Sequence, residues 1–177
     1  MHMIHRLRHT TLFLLFLAVC VVPGVLHAQG PATVVYLVRH AEKADDGTDD
    51  PPLTGEGTHR AQVLAGLLSD AGITRVLSTD FNRTRDTATP TAAALGLEVE
   101  IYDPRAPDAL AERLGGSGER VLVVGHSNTT PALVELLGGE PGDPIREEDE
   151  YDRLYVVVLG PEGASTVLLR YGNGAGH

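Results

Sequence analysis

Short unbroken apolar runs alternate along the chain with longer stretches in which apolar residues recur every three or four positions. Residues 33–38 (TVVYLV), 121–124 (VLVV) and 154–159 (LYVVVL) are valine-rich runs and predict buried strands. Val76-Leu77, the stretch 99–102 (VEIY) and the stretch 166–169 (TVLL) predict three more. Gly160-Pro161-Glu162-Gly163 divides the last two strands as a hairpin-type turn.

Helical patterns fill the gaps. Thr54 is a good N-cap for a helix reaching about Asp70, with Ala61, Leu64, Ala65 and Leu68 on one face and Gly72 just past its end. Asp80 is the expected cap of a second helix through Leu95, closed by Gly96. Residues 109–114 and 132–137 supply two more, each followed by a glycine pair. Strands alternating with helices predict an α/β fold: a three-layer sandwich with a mostly parallel central sheet, helices on both faces and an antiparallel C-terminal hairpin. No repeat or linker divides residues 29–177, which are expected to form a single domain. The Asp-rich stretch 45–52 (DDGTDDPP) reads as a solvated acidic loop, since its spacing fits no calcium-ligand pattern.

The first 28 residues follow another pattern. Arg6 and Arg8 precede an uncharged apolar run, 11–22, and Leu26-His27-Ala28 ends in a small residue. That is the layout of a secretory signal peptide, and it predicts export to the periplasm or the extracellular space. The run is short for a spanning helix, so a membrane contact is expected only if the segment is retained. Leu17-Ala18-Val19-Cys20 is similar to a lipoprotein signal, but Val19 stands where that pattern wants Gly, Ala or Ser.

Cleavage after Ala28 would remove Cys20, the only cysteine, and with it thiol catalysis, disulfides and cysteine-ligated zinc. It would also remove Arg6 and Arg8, taking the net charge from −10 to −12. Such a surface repels nucleic acid and anionic membranes, so any phosphate site must concentrate positive charge locally. Trp is absent and aromatics make up 5%, which disfavours stacking platforms for bases or sugars.

Three predicted strands run directly into reactive residues. The first ends in Arg39-His40, the second in Ser78-Thr79-Asp80 with Arg83 and Arg85 following, and the fourth in Gly125-His126-Ser127-Asn128. Ligands of open α/β sheets sit beyond the carboxyl ends of the strands, so parallel strands bring these termini to one edge. A neutral imidazole can attack phosphorus and carry the phosphoryl group. Flanking guanidinium groups keep the imidazole neutral and grip phosphate oxygens bidentately. The helix N-terminus after Ser127 would add N–H donors. Guanidinium charge can replace a metal in this work, so neither metal nor cofactor is expected.

These residues carry a resemblance. Val38-Arg39-His40-Ala41-Glu42 resembles the Arg-His-Gly-Glu signature of the histidine phosphatase superfamily, which includes the cofactor-dependent phosphoglycerate mutases. Leu53-Thr54-Gly55-Glu56-Gly57 is similar to its Leu-Thr-x-x-Gly segment. The stretch 78–88 (STDFNRTRDTA) is similar to its Ser-Ser-x-x-x-Arg-(Ala/Thr)-x-x-Thr-Ala helix, and Gly125-His126-Ser127-Asn128 to its second-histidine motif. The resemblance implies a metal-independent phosphatase in which His40 becomes phosphohistidine. It further implies that Arg39 and Arg83 bind the transferring phosphate and that His126 completes the pocket. Glu42 would position the substrate, and Ser127 would contact it.

Two departures stand out. Ala41 replaces the signature glycine. The carboxylic acid that family members place after the third strand has no familiar counterpart in Ile101-Tyr102-Asp103-Pro104-Arg105, where Asp103 is the candidate and Asp108 and Glu112 are alternatives. Without an acid, phosphoamidates and anhydrides suit the site better than alkyl esters. The expected partner is a phosphorylated small molecule or a phosphoprotein, with no nucleic acid. A non-catalytic phosphate or phosphosugar binder would use the same arginines. A serine hydrolase reading of Gly125-His126-Ser127 lacks the Ser…Asp…His order except through His177.

Overall fold

The computed structural model describes residues 31–172; the expected signal segment and His177 lie outside them. In chain order the elements are β1 (Thr33–Arg39), α1 (Gly55–Leu68), β2 (Arg75–Ser78), α2 (Asn82–Leu95), β3 (Val99–Ile101), α3 (Pro107–Leu114), β4 (Arg120–Gly125), α4 (Thr129–Leu136), β5 (Arg153–Gly160) and β6 (Gly163–Arg170). They form one mixed sheet in the order β3-β2-β4-β1-β5-β6. The first four strands of that order run parallel, whereas β5 is antiparallel to β1 and β6 closes an antiparallel hairpin on β5.

The two-residue period of the strands builds the layers. On β1 and β4, Val35, Leu37, Val121 and Val123 point to one face, where they meet Leu110 and Leu114 of α3 and Leu133 and Val134 of α4. Val38, Leu122 and Val124 point to the other, against Leu64 and Leu68 of α1 and Ala88 and Ala92 of α2. Strands buried on both sides read as unbroken apolar runs, as the sequence shows.

Thr54 caps α1 as expected, its side chain accepting from the Gly57 N–H at 3.0 Å. The second cap is a correction. Helix α2 starts at Asn82 after Phe81, and the Asp80 carboxylate turns instead to Arg85. Asp50 of the acidic loop does the capping, its Oδ1 accepting from the Asn82 N–H at 2.8 Å. A carboxylate from a distant loop satisfies the orphan donor and the helix dipole as well as a local one does. Helices α3 and α4 also begin two and three residues earlier than the apolar pattern suggests, at Pro107 and Thr129. Among the described residues no helix is long and apolar enough to cross a membrane.

Strand register prepares the site. Arg39 lies opposite Gly125, and Ser78 opposite Val124. The His40 N–H continues the ladder to the Gly125 carbonyl at 2.9 Å, which sets His40 and His126 side by side just past the sheet edge. Gly125 fits closely there: a Cβ would stand 3.0 Å from Thr129 Oγ1, Thr130 Oγ1 and the Tyr102 hydroxyl.

Candidate active site

His40 is 2% exposed, and its Nδ1 lies 2.7 Å from the Ala41 carbonyl oxygen. A carbonyl only accepts, so Nδ1 carries the proton and Nε2 keeps its lone pair. The Ala41 N–H in turn donates to Thr87 Oγ1 at 2.9 Å, which fixes the peptide that orients the ring. No described non-glycine residue has a positive φ, so alanine sits at the signature glycine position without backbone strain.

The His126 ring stands 5.5 Å from that of His40, edge to face, and 5.3 Å from Phe81. Thr84 gives its hydroxyl proton to a carbonyl of its own turn, Phe81 O at 2.9 Å or Thr79 O at 3.0 Å. Its oxygen is then free to accept from Thr79 Oγ1, 2.9 Å away, and Thr79 Oγ1 accepts from His126 Nε2 at 3.0 Å. This hydroxyl chain holds His126 with its proton on Nε2. Burial, reinforced by the Arg39 and Arg83 charges, lowers the His40 pKa to about 3. Burial and then Arg83 lower that of His126 to about 4. Both imidazoles are neutral at pH 7.

Arg39 is held rigidly. Its Nη1 donates to the carbonyls of Arg146 (3.0 Å) and Glu150 (3.1 Å), and Nη2 to that of Glu147 (2.7 Å). Its guanidinium lies 4.1 Å from the Tyr151 ring centre. Arg83 stacks over Phe81 at 4.4 Å, and its Nη1 is 3.6 Å from Asp50 Oδ1, outside hydrogen-bond reach. Three buried guanidinium donors are left without a hydrogen-bond partner: Arg39 Nε, Arg83 Nε and Arg83 Nη1. Unpaired buried cationic donors are costly unless an anion completes them.

A pocket of about 640 Å³ opens here, lined by His40, Arg83, His126, Ser127, Phe81 and Glu147, with Lys43 and Arg105 also on its wall. It shares Phe81, Pro104 and Arg105 with a neighbouring groove that includes Ile101 and Tyr102. The structure thus brings His40, His126, Arg83 and Ser127 to one cavity, with Arg39 buried beside His40. Among the described residues no group of three or more His, Cys, Asp or Glu side chains is placed to hold a metal ion.

Other candidates are elsewhere. Asp103 faces the groove rather than the His40 pocket, and Arg105 grips both its oxygens at 2.9 and 3.0 Å. That hydrogen bonding lowers its pKa, and its carboxylate does not line the pocket that holds His40. Asp108 and Glu112 sit exposed on α3, away from the pocket. Glu42 gives both oxygens to Arg60 Nε at 2.8 and 3.0 Å and does not line the pocket, so its place is structural support under the β1–α1 connection. Ser127 Oγ donates to Glu147 Oε2 rather than to an imidazole, so no serine-hydrolase pair forms among the described residues.

Glu147, Lys43 and Phe81 also line the His40 pocket, and none of them is among the residues expected there. Phe81 lies inside the β2-end motif and could have been included, and Lys43 is the only lysine of the chain. Glu147, within Arg146-Glu147-Glu148-Asp149-Glu150, carries no signal beyond that of a solvated charge run.

Residues 35–105 match the histidine phosphatase superfamily (branch 1). The Probable phosphoglycerate mutase GpmB of Serratia proteamaculans (strain 568) is 35% identical over 155 residues, covering 78% of this chain and 69% of that protein. The protein of the same name from Photorhabdus laumondii is 30% identical over 152 residues with the same coverage, 78% and 69%. Among solved structures, the protein histidine phosphatase SixA complexed with tungstate superposes with a TM-score of 0.60 at 25% identity, covering 77% of this chain and 94% of that one. Mycobacterial glucosyl-3-phosphoglycerate phosphatase shares the fold at 16% identity, with a TM-score of 0.59 and coverage of 81% and 100%.

Proposed function

The chain belongs to the histidine phosphatase superfamily, branch 1, and from that premise we propose that it is a metal-independent phosphatase working through phosphohistidine on His40. One observation carries this reading: Arg83, with two buried donors that lack a hydrogen-bond partner, lines a pocket that also holds a neutral imidazole with its lone pair on Nε2, and Arg39, buried beside His40, has a third such donor. A phosphoryl group fits that demand, since its oxygens complete the donors while its phosphorus meets the nucleophile.

In the proposed reaction His40 Nε2 attacks phosphorus and the bond to the leaving group breaks. Arg39 and Arg83 hold the equatorial oxygens, and the charge they supply stabilises the transition state. Water then attacks the phosphohistidine, the N–P bond pair returns to Nε2 and inorganic phosphate leaves. His126 lines the same pocket, its ring 5.5 Å from that of His40. The substrate is a phosphorylated small molecule or a phosphoprotein. The basic and apolar pattern of residues 1–28 supports a place outside the cytoplasm.

The test is phosphate release from p-nitrophenyl phosphate in EDTA, by wild type and His40→Ala, with a rapid alkaline quench and mass spectrometry of the His40 peptide. Wild type is expected to turn over and to carry a phosphoryl group on His40, and the variant to do neither. Tight phosphate binding without turnover or phosphohistidine would make the chain a binder instead.

A further inference from the structure

We infer that Glu147, from the loop between α4 and β5, is the proton donor to the leaving group, which would make alcohol phosphate monoesters the substrate class. The inference rests on the phosphatase reading above.

An alkoxide is a poor leaving group and needs an acid beside it. Glu147 is the one acidic side chain among the described residues that line the His40 pocket. Asp103, the expected acid, is bound to Arg105 outside that pocket, and the single N–H of neutral His126 is given to Thr79. Glu147 is 60% exposed at its side chain, yet its carboxyl group has a defined place. Oε1 lies 3.2 Å from Arg39 Nη2, and Oε2 accepts from Ser127 Oγ. Its own carbonyl is gripped by the same guanidinium at 2.7 Å.

Glu147 borders the anion site without filling it, because Arg39 Nε and both Arg83 donors stay open while it is in place. A phosphate monoester that meets those donors comes to lie beside the Glu147 carboxyl group, which acts on it in its acid form. His40 Nε2 then attacks phosphorus, the P–O bond pair moves to the ester oxygen, and the Glu147 proton passes to that oxygen to give the free alcohol. In the second half the Glu147 carboxylate takes a proton from water as its oxygen attacks phosphohistidine. The N–P bond pair returns to Nε2, and the acid is restored.

The experiment compares wild type with Glu147→Gln on p-nitrophenyl phosphate, whose leaving group needs no acid, and on β-glycerol phosphate, whose leaving group does. Glu147→Gln is expected to lose at least about 100-fold in kcat/KM on the alkyl ester and less than about 10-fold on the aryl ester, as for loss of a general acid. Retained aryl turnover also shows that the variant is folded. Equal loss on both substrates would make Glu147 a positioning group for Arg39 and overturn the inference, and so would unchanged alkyl turnover or a wild type inactive on alkyl esters. Failure to find phosphohistidine on wild-type His40 would instead overturn the phosphatase reading, so the two failures are distinguishable.

Discussion

His40 gives its Nδ1–H to the carbonyl oxygen of Ala41, 2.7 Å away, and so turns an unprotonated Nε2 into the nucleophilic atom. The hydrogen bond fixes the tautomer, while burial and the neighbouring cations keep the ring from charging.

This pair sets a pH behaviour. The folded pKa values of His40 and His126, about 3 and about 4, lie below the unfolded value of 6.5. Between those limits the unfolded chain binds more protons than the folded one. The stability that each neutral imidazole contributes is therefore complete above pH 6.5 and is lost as pH falls toward the folded pKa. From pH 7 to 5 each should contribute roughly 2 kcal/mol of lost stability. Histidine NMR should show neither ring titrating above pH 5 in the apo protein, and His40→Asn should flatten the acid limb of the unfolding curve. Titration of either ring near 6.5 would contradict the burial argument.

Arg83 offers a second test, because two of its buried donors have no hydrogen-bond partner. Arg83→Met removes that unmet demand, so the apo variant should be as stable as wild type or about 1 kcal/mol more stable. Wild type should gain about 2.7 kcal/mol with phosphate or tungstate at 100-fold over Kd, and the variant should gain nothing. Its kcat/KM should fall about 100- to 1,000-fold. Thermal unfolding with and without oxyanion reads both halves, and an undiminished oxyanion shift in the variant would remove Arg83 from the site.

Gly57 tests how the first turn of α1 supports the nucleophile. A Cβ there would stand 2.2 Å from the Glu42 carbonyl oxygen, a backbone atom that cannot swing aside. Gly57→Ala should cost about 2–3 kcal/mol, and the shift of Glu42 should reach His40 two residues away and lower kcat. Gly55, in the same turn with nothing within 4 Å, is the control. Gly55→Ala should be neutral or slightly stabilising. Equal effects from the two changes would refute the steric account.

His40, Arg39, Arg83 and His126 were legible in the sequence because strand ends are local features: an apolar run stops and a reactive residue follows. The layers were legible because Val35 and Leu37 alternate with Tyr36 and Val38 across a sheet buried on both sides. The misread residues all depend on loops that lack periodicity. Asp80 is as good a cap as Asp50 by sequence, and only the path of the acidic loop decides between them. Asp103 follows the expected strand, but Arg105 two residues on holds its carboxylate away from His40. Glu147 is hidden in a run of charges that binds Arg39 mainly through its backbone carbonyls, with the Glu147 side chain added.

That last dependence leads to Glu150. Its carboxylate is 2% exposed and accepts from Arg153 Nε at 2.6 Å, Arg170 Nη1 at 2.8 Å and the Arg146 N–H at 2.9 Å. It thereby closes the loop whose carbonyls hold Arg39. Burial alone would raise its pKa, but the Arg153 hydrogen bond and the other donors overcome this and lower it to about 2. A depressed carboxyl pKa contributes stability that is present above the unfolded value of 4.5 and is lost as pH falls toward 2. Glu150→Gln leaves Arg153 buried without its counter-charge, so unfolding should cost about 3 kcal/mol less at pH 7, with a smaller difference from wild type at pH 3. Arg170→Ala removes a half-exposed partner of the same carboxylate and should cost under about 1 kcal/mol. Because Arg39 loses its fixed cradle, Glu150→Gln should also lower kcat/KM on an aryl phosphate at a temperature where the variant is still folded. Urea unfolding at the two pH values, with the kinetics alongside, separates the effects. A destabilised variant with wild-type kcat/KM would mean that Arg39 keeps its place without the clamp.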